Sequence, residues 1–287
     1  MRTKAIHPPD REQLGEKEKI KIARKGLLVF FAMLIPLSIV GYSLALTSEL
    51  FVIFLMWTPG IASILTRIVL REGKKDISLK LGFFQAIKTI PLTLLFPVFI
   101  GIMAYGIAWT TGLVQFAAPD GVINTSLNSA FVKAIIMQMT VGTLIGLITS
   151  TGEELGWRGY MTTRLVDAKV PFPLLISGII WGVWHLPVLI LGNYNSGPNL
   201  VLSIIFFMIS VSSFGYILGR IRLSSGSVWP AVFLHAAWNA IIQDAFDAFS
   251  HGENAIIWTG ESGILVAACL MLIAWIISRK QMIMYKW

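Results

Sequence analysis

Long apolar runs without a single Asp, Glu, Lys or Arg recur along the chain, separated by short polar segments. They cover residues 26–48, 50–66, 89–119, 134–152, 170–219, 223–243 and 262–278. A membrane span needs about 20 apolar residues, so most of these runs hold one span each. The run at 170–219 is 50 residues long and must hold two. The stretch Gly192-Asn193-Tyr194-Asn195-Ser196-Gly197-Pro198-Asn199 divides it, because such a cluster of turn formers does not continue a helix. The pattern predicts an all-α polytopic membrane protein of about eight transmembrane helices.

The placement of basic residues tests that count independently, since Lys and Arg are retained in cytoplasmic loops. Eight lie in residues 1–25. Six (Arg67, Arg71, Lys74, Lys75, Lys80, Lys88) follow the second span, and three (Arg158, Arg164, Lys169) follow the fourth. Arg220 and Arg222 follow the sixth, and Arg279, Lys280 and Lys286 follow the eighth. Only Lys133, at the start of the fourth span, departs from this alternation, which a miscounted helix would scramble. The expected topology has both termini in the cytoplasm, residues 1–25 as a cytoplasmic tail and residues 26–287 as one transmembrane domain. The expected location is the bacterial plasma membrane. Residues 113–130 form the longest outer connection and 47–50 the shortest.

Composition agrees. Hydrophobic residues make up 55% of the chain and charged residues 13%, against about 25% charged in soluble domains. The net charge of +8 is accounted for by topology. No basic stripe of the kind that binds nucleic acid is present, so the expected partners are the lipid bilayer and a peptide or membrane-protein substrate. The single cysteine, Cys269, excludes an intrachain disulfide and a cysteine-based metal site. No internal repeat stands out, and breaks do not recur in matched halves as they do in inverted-repeat transporters.

Against this background a few polar residues stand out, because ionisable groups at membrane depth are costly and serve a purpose there. Glu153 and Glu154 end an apolar run and are followed by Arg158. Residues four apart on a helix share a face, so Glu154 and Arg158 can pair while Glu153 points about 100° away and stays free. Such a carboxylate suits a general base. His185 lies deep in the fifth span, one turn after Trp181, and Pro187 kinks the helix beyond it. His235 and Asn239 share a face in the seventh span. Together these residues can activate a water and stabilise an oxyanion. Glu153, His185 and His235 equally suit a zinc site of two His and one Glu with an open position. Arg164 and Lys169 read as charges marking the membrane border.

The order Glu-Glu-x-x-x-Arg, aromatic-x-x-x-His, His-x-x-x-Asn resembles the CPBP intramembrane proteases. That family includes the type II CAAX prenyl endopeptidases and bacterial relatives first labelled bacteriocin-immunity (Abi) proteins. The resemblance covers about residues 130–245, with Trp181 where the second motif usually has Phe, a minor departure if either serves only as an aromatic wall. It implies that Glu153 activates water with help from His185, that His235 and Asn239 form an oxyanion hole, and that Glu154 and Arg158 support them. It favours a glutamate-type protease without a cofactor, with zinc as the alternative. Prenylated CAAX tails fit as substrates where the cell prenylates proteins; otherwise peptide precursors, leader remnants or membrane proteins fit. A non-catalytic immunity, scaffold or transport protein on the same fold is the alternative function.

The expected reaction is hydrolysis of peptide bonds near the cytoplasmic face, at a site within the helix bundle. At 1.5 Å per residue, His235 lies about 10 Å from that edge if its helix starts near Val228, and His185 about 20 Å if its helix starts near Phe172. Glu153 lies close to the edge. Convergence then requires a late or tilted fifth helix, or residues 155–169 folding back into the bilayer. Trp157, Tyr160, Met161 and Leu165 are spaced for one apolar face, which predicts a short amphipathic segment there.

Overall fold

The computed structural model describes residues 15–73, 79, 83–121, 125–191 and 194–284. Lys74, Lys75, Lys80, Lys286 and the first part of the expected N-terminal tail lie outside these. Eight helical rods make up the described architecture. They are α1 (Glu16–Ala45), α2 (Val52–Val69), α3 (Phe83–Thr110), α4 (Leu127–Asp167), α5 (Pro173–Ile190), α6 (Leu200–Ser225), α7 (Trp229–Trp238, continued by a π-helical stretch Asn239–Phe246) and α8 (Ile264–Met284). By length and composition α1 to α6 can each cross a membrane, and the apolar part of α8, Ile264–Arg279, is shorter. The chain is therefore an all-α polytopic membrane protein. The one sheet among the described residues is a two-residue antiparallel ladder, Gln115–Phe116 on Ser250–His251.

Local chemistry sets the helix ends. Glu16 and Glu18 occupy the first turn of α1, where carboxylates complement the positive end of the helix dipole. This extends α1 back into the expected tail. Asn199 caps α6 by accepting the Leu202 N–H at 3.1 Å, and Gly226, at φ 66°, ends it. Pro173 occupies the first turn of α5, where its missing N–H costs nothing.

Small residues let the rods approach closely, since helices in lipid associate through packing rather than through a hydrophobic drive. A Cβ on Gly152 would stand 2.8 Å from the Trp57 backbone, and one on Gly156 would stand 2.4 Å from Pro59. Glycine at both positions seats α4 against α2, just where the two glutamates lie.

The fourth span is longer than its charge-free run. Instead of ending at Gly152 it continues as one rod to Asp167, through π turns at Gln138–Gly142 and Trp157–Met161. The predicted amphipathic segment at 155–169 is thus the inner part of α4. Its apolar face does exist, but it is packed inside the protein: Trp157, Tyr160, Met161 and Leu165 are all buried.

The connections that carry the basic residues gather at one end of the bundle. Lys169 meets Glu16 at 3.5 Å, Arg164 meets Glu72 at 2.7 Å, and the Trp229 indole donates to the Leu79 carbonyl at 3.1 Å. Lys169 is exposed, as a border charge should be. Arg164 is fully buried, however, and lies over the Tyr160 ring at 4.7 Å. It is a packed structural cation, because its ion pair and ring contact compensate for lost hydration. The other end carries the short ladder between the α3–α4 and α7–α8 connections and the hydrogen bond from Tyr194 to Glu261.

Candidate active site

Glu153 and Glu154 are both buried, at 1% and 0% exposure, but in different chemical company. Glu153 Oε2 accepts the Trp181 indole N–H at 2.7 Å and the Trp157 indole N–H at 3.3 Å. Both donors are neutral. Trp157 lies one turn later on α4 and Trp181 comes from α5, so the carboxylate is fixed from two helices. Glu154 Oε1 instead accepts from Arg158 Nη1 at 2.7 Å and from His235 Nδ1 at 3.0 Å. The expected Glu154–Arg158 pair is present, and His235 joins it from α7.

His185 Nδ1 lies 2.9 Å from the Trp181 carbonyl oxygen. A carbonyl only accepts, so Nδ1 carries the proton and Nε2 is left with its lone pair. The Glu154 carboxylate takes the Nδ1–H of His235, so Nε2 is that ring's open edge and donates when the ring is protonated. Asn239 is half-buried and follows His235 by one turn, at the point where α7 passes into π-helix. π-helical segments inside α-helices recur at functional sites.

Trp181 joins these groups. Its N–H holds Glu153, its carbonyl holds His185, and its ring meets His185 and His235 edge-on at centroid distances of 5.4 and 5.2 Å. The Arg158 guanidinium lies 4.2 Å from its ring centre. The departure from Phe noted in the sequence is therefore substantive, because a phenyl ring has no N–H to give Glu153.

A cavity of about 250 Å³ brings Glu153, His185, His235 and Asn239 onto one wall system, together with Trp181. Four of the six expected site residues thus line this cavity, and Glu154 stands behind His235. Arg158 stands behind Trp181. The expected conflict of depths is resolved in two ways. Glu153 lies 14 residues before the end of α4 and His185 12 residues past the start of α5, about 21 and 18 Å from the same end of the bundle at 1.5 Å per residue. Helix α7 starts from a buried turn, Ser227 and Val228 being 5% and 1% exposed, so His235 starts from inside the protein.

A further buried acid was missed from sequence. Glu261, on the connection into α8, lines the same cavity. It accepts from Trp238 at 2.6 Å, Asn195 at 3.2 Å and Gln243 at 3.3 Å, and from the Tyr194 hydroxyl. The Tyr194 ring stacks on His185 at 5.9 Å. In the sequence Glu261 reads as an ordinary loop acid. Its one signal is its position immediately before an uncharged run, with no basic residue nearby to balance it.

The zinc alternative keeps its donor atoms: Glu153 Oε1 and the Nε2 atoms of His185 and His235 are left open by the bonds to Glu153 Oε2 and the two Nδ1 atoms, although among the described residues no group of three His, Cys, Asp or Glu side chains is placed to hold a metal ion.

Comparison with known proteins bears on the same segment. A family model described as type II CAAX prenyl endopeptidase Rce1-like matches residues 133–241, which contain all six site residues. CAAX prenyl protease 2 of Methanococcus maripaludis is 30% identical over 216 residues, 70% of this chain and 72% of that protein.

Proposed function

This chain belongs to the Rce1-like family of type II CAAX prenyl endopeptidases, and on that premise we propose that it is a metal-independent intramembrane endopeptidase with Glu153 as its general base. The family makes it a membrane protease. The residue roles rest on one observation above all: a buried carboxylate held only by neutral indole donors, on the wall of a cavity shared with His185, His235 and Asn239.

The chemistry follows from which atoms are already engaged. Both indole bonds reach Glu153 Oε2, so Oε1 is free to take a proton from water. His185 Nε2, with its lone pair exposed by the Nδ1–carbonyl bond, accepts the water's second hydrogen and orients it. The hydroxide attacks the scissile carbonyl carbon, and the carbonyl oxygen becomes an oxyanion. Asn239 Nδ2 and the protonated Nε2 of His235 donate to that oxyanion, the imidazolium being supported by Glu154. Preorganised donors of this kind are among the largest contributors to acyl-transfer catalysis. When the tetrahedral species collapses, the C–N bond breaks and the proton held by Glu153 passes to the leaving amine. The new carboxyl and amine termini complete a hydrolysis that consumes one water.

The relative's name ties that protein to CAAX prenyl substrates. For this chain the proposal is limited to peptide-bond hydrolysis on an apolar, membrane-associated polypeptide. Cleavage of a fluorescence-quenched apolar peptide by purified protein in detergent tests it. Cleavage that disappears in Glu153→Ala supports the reading; the same rate in wild type and Glu153→Ala rejects it.

A further inference from the structure

We infer that Glu261 is a positioning residue of the active site. Its carboxylate fastens the segment stacked on His185 to the stretch of α7 that carries Asn239, and so holds the water-orienting and oxyanion-binding groups in register. What those two groups do rests on the endopeptidase reading; that they are fastened together is a matter of geometry.

Glu261 lies in the connection between α7 and α8 and is 6% exposed. Oε1 accepts the Trp238 indole N–H at 2.6 Å and a Gln243 amide N–H at 3.3 Å. Oε2 accepts an Asn195 amide N–H at 3.2 Å and the Tyr194 hydroxyl. Gln243 also donates to the Tyr194 hydroxyl oxygen at 2.9 Å, which directs the hydroxyl's own hydrogen at Glu261 and closes a triangle of bonds. With two donors on each oxygen, the carboxylate has its acceptor sites filled. Glu153, by contrast, keeps Oε1 open. Glu261 therefore lines the same cavity without being a second base. A carboxylate this buried is costly unless hydrogen-bonded, so the four donors are held to it. Its backbone is anchored as well. Gly260 stands at φ 75°, a conformation open to glycine. Its N–H donates to the Tyr105 hydroxyl at 2.9 Å, and that hydroxyl donates to Asp247 at 2.5 Å.

The four donors come from two segments, and each segment borders one half of the site. Tyr194 follows α5, and its ring lies on His185 with centroids 5.9 Å apart and planes 27° from parallel. Phe207 meets both rings edge-on, at 5.6 Å from His185 and 5.9 Å from Tyr194. The His185 ring is hydrogen-bonded through Nδ1 to the Trp181 carbonyl, and a ring held at that atom alone can swing about the bond. Its face against Tyr194 and its edge against Phe207 set its plane, and with it the direction of Nε2. On the other side, Trp238 immediately precedes Asn239, and Gln243 lies beyond it on the same helix. The two bonds to Glu261 Oε1 thus bracket Asn239. Asn239 opens a π-helical stretch, a rare geometry that gains from a fastening outside the helix.

The test uses the purified full chain in detergent, with Glu261→Gln as the main variant. Glutamine keeps the size of the side chain but turns one acceptor oxygen into a donor, so two of the four donors lose their acceptor. Cleavage of a quenched apolar peptide is expected to fall in kcat by about 10- to 100-fold, as it does when outer-shell partners are removed elsewhere, with KM little changed. His185 itself reports the fastening. The chain has four histidines, so NMR of isotope-labelled histidine separates them, and His185 is assigned by its loss in His185→Gln. Its resonances are expected to shift in Glu261→Gln. They are expected to shift also in Tyr194→Phe, which cuts the same bond from the other end and stands in if Glu261→Gln does not fold. They should stay in place in Trp229→Phe, which removes an indole hydrogen bond at the basic end. In an Asn239→Ala background Glu261→Gln should cost less than it does alone, because residues acting through one another are not additive. An unchanged kcat, a loss seen only in KM, a fully multiplicative loss in the double variant, or His185 resonances that move in neither variant overturns the inference. If the wild type cleaves no peptide, the endopeptidase reading fails instead, and the resonances still decide whether Glu261 holds His185.

Discussion

The two ends of the bundle treat buried acids in opposite ways. Toward the basic end every buried carboxylate described above meets a cation: Glu72 meets Arg164, and Glu154 meets Arg158 and His235. Around the cavity they meet neutral donors: indoles hold Glu153, and Trp238, Gln243, Asn195 and Tyr194 hold Glu261. The boundary between the two regimes is the single peptide bond joining Glu153 to Glu154. An acid neutralised by a buried cation is committed to the fold, because removing either partner strands the other charge. Glu153, held by neutral hydrogen bonds to Oε2 alone, has no cation that commits it to the fold and keeps Oε1 for a reaction. The difference separates scaffold from chemistry within one turn of helix.

The sharpest way to break the comparison is Glu153→Ala. A positioned general base contributes about 10²–10⁴ in rate, so cleavage should fall by about the upper end of that range while the melting transition in detergent stays in place. Next comes Glu154→Ala. Stranding Arg158 should cost about 3–5 kcal/mol, seen as a lowered melting temperature together with reduced cleavage through the loss of support to His235. Asn239→Ala should lower kcat by about 10²–10³ if its amide donates to the oxyanion; a change confined to KM would assign it to substrate binding instead. Trp181→Phe sharpens the neutral-donor side. It keeps the ring against His185 and His235 and removes the N–H to Glu153. A hydrogen bond to a charged group is worth about 1.5–3 kcal/mol, so kcat should drop by about 10- to 100-fold with little change in KM. The smallest expected effect is that of a chelator, which should leave cleavage unchanged. One bound metal with nitrogen ligands about 2.0–2.1 Å away, and activity lost with it, would return the site to the zinc alternative.

Much of this was legible in the sequence. Charge-free runs and alternating basic connections gave the eight rods. The cost of burying charge drew attention to Glu153, Glu154, Arg158, His185, His235 and Asn239, and the structure gathers them. What escaped did so for physical reasons. The continuation of α4 beyond Gly152 was hidden because Glu153 and Glu154 end the charge-free run and Arg164 resembles a membrane border, and only packing reveals that Glu72 and the Tyr160 ring compensate Arg164. The π turns at Trp157 and Asn239 leave apolar periodicity almost unchanged over five to eight residues, so the spacing carries no trace of them. Trp181 reads as an aromatic wall until its indole nitrogen is seen 2.7 Å from Glu153. Glu261 gains its place from four donors on two other segments, a contact set without local spacing.

The most direct test measures Glu153→Ala and Glu154→Ala side by side, in one detergent, by thermal melt and by cleavage of one quenched peptide. The account predicts a crossing: Glu153→Ala melts like the wild type and does not cleave, whereas Glu154→Ala melts at lower temperature and keeps a reduced rate. If Glu153→Ala cleaves while melting as early as Glu154→Ala, the division of the two glutamates between chemistry and scaffold is wrong.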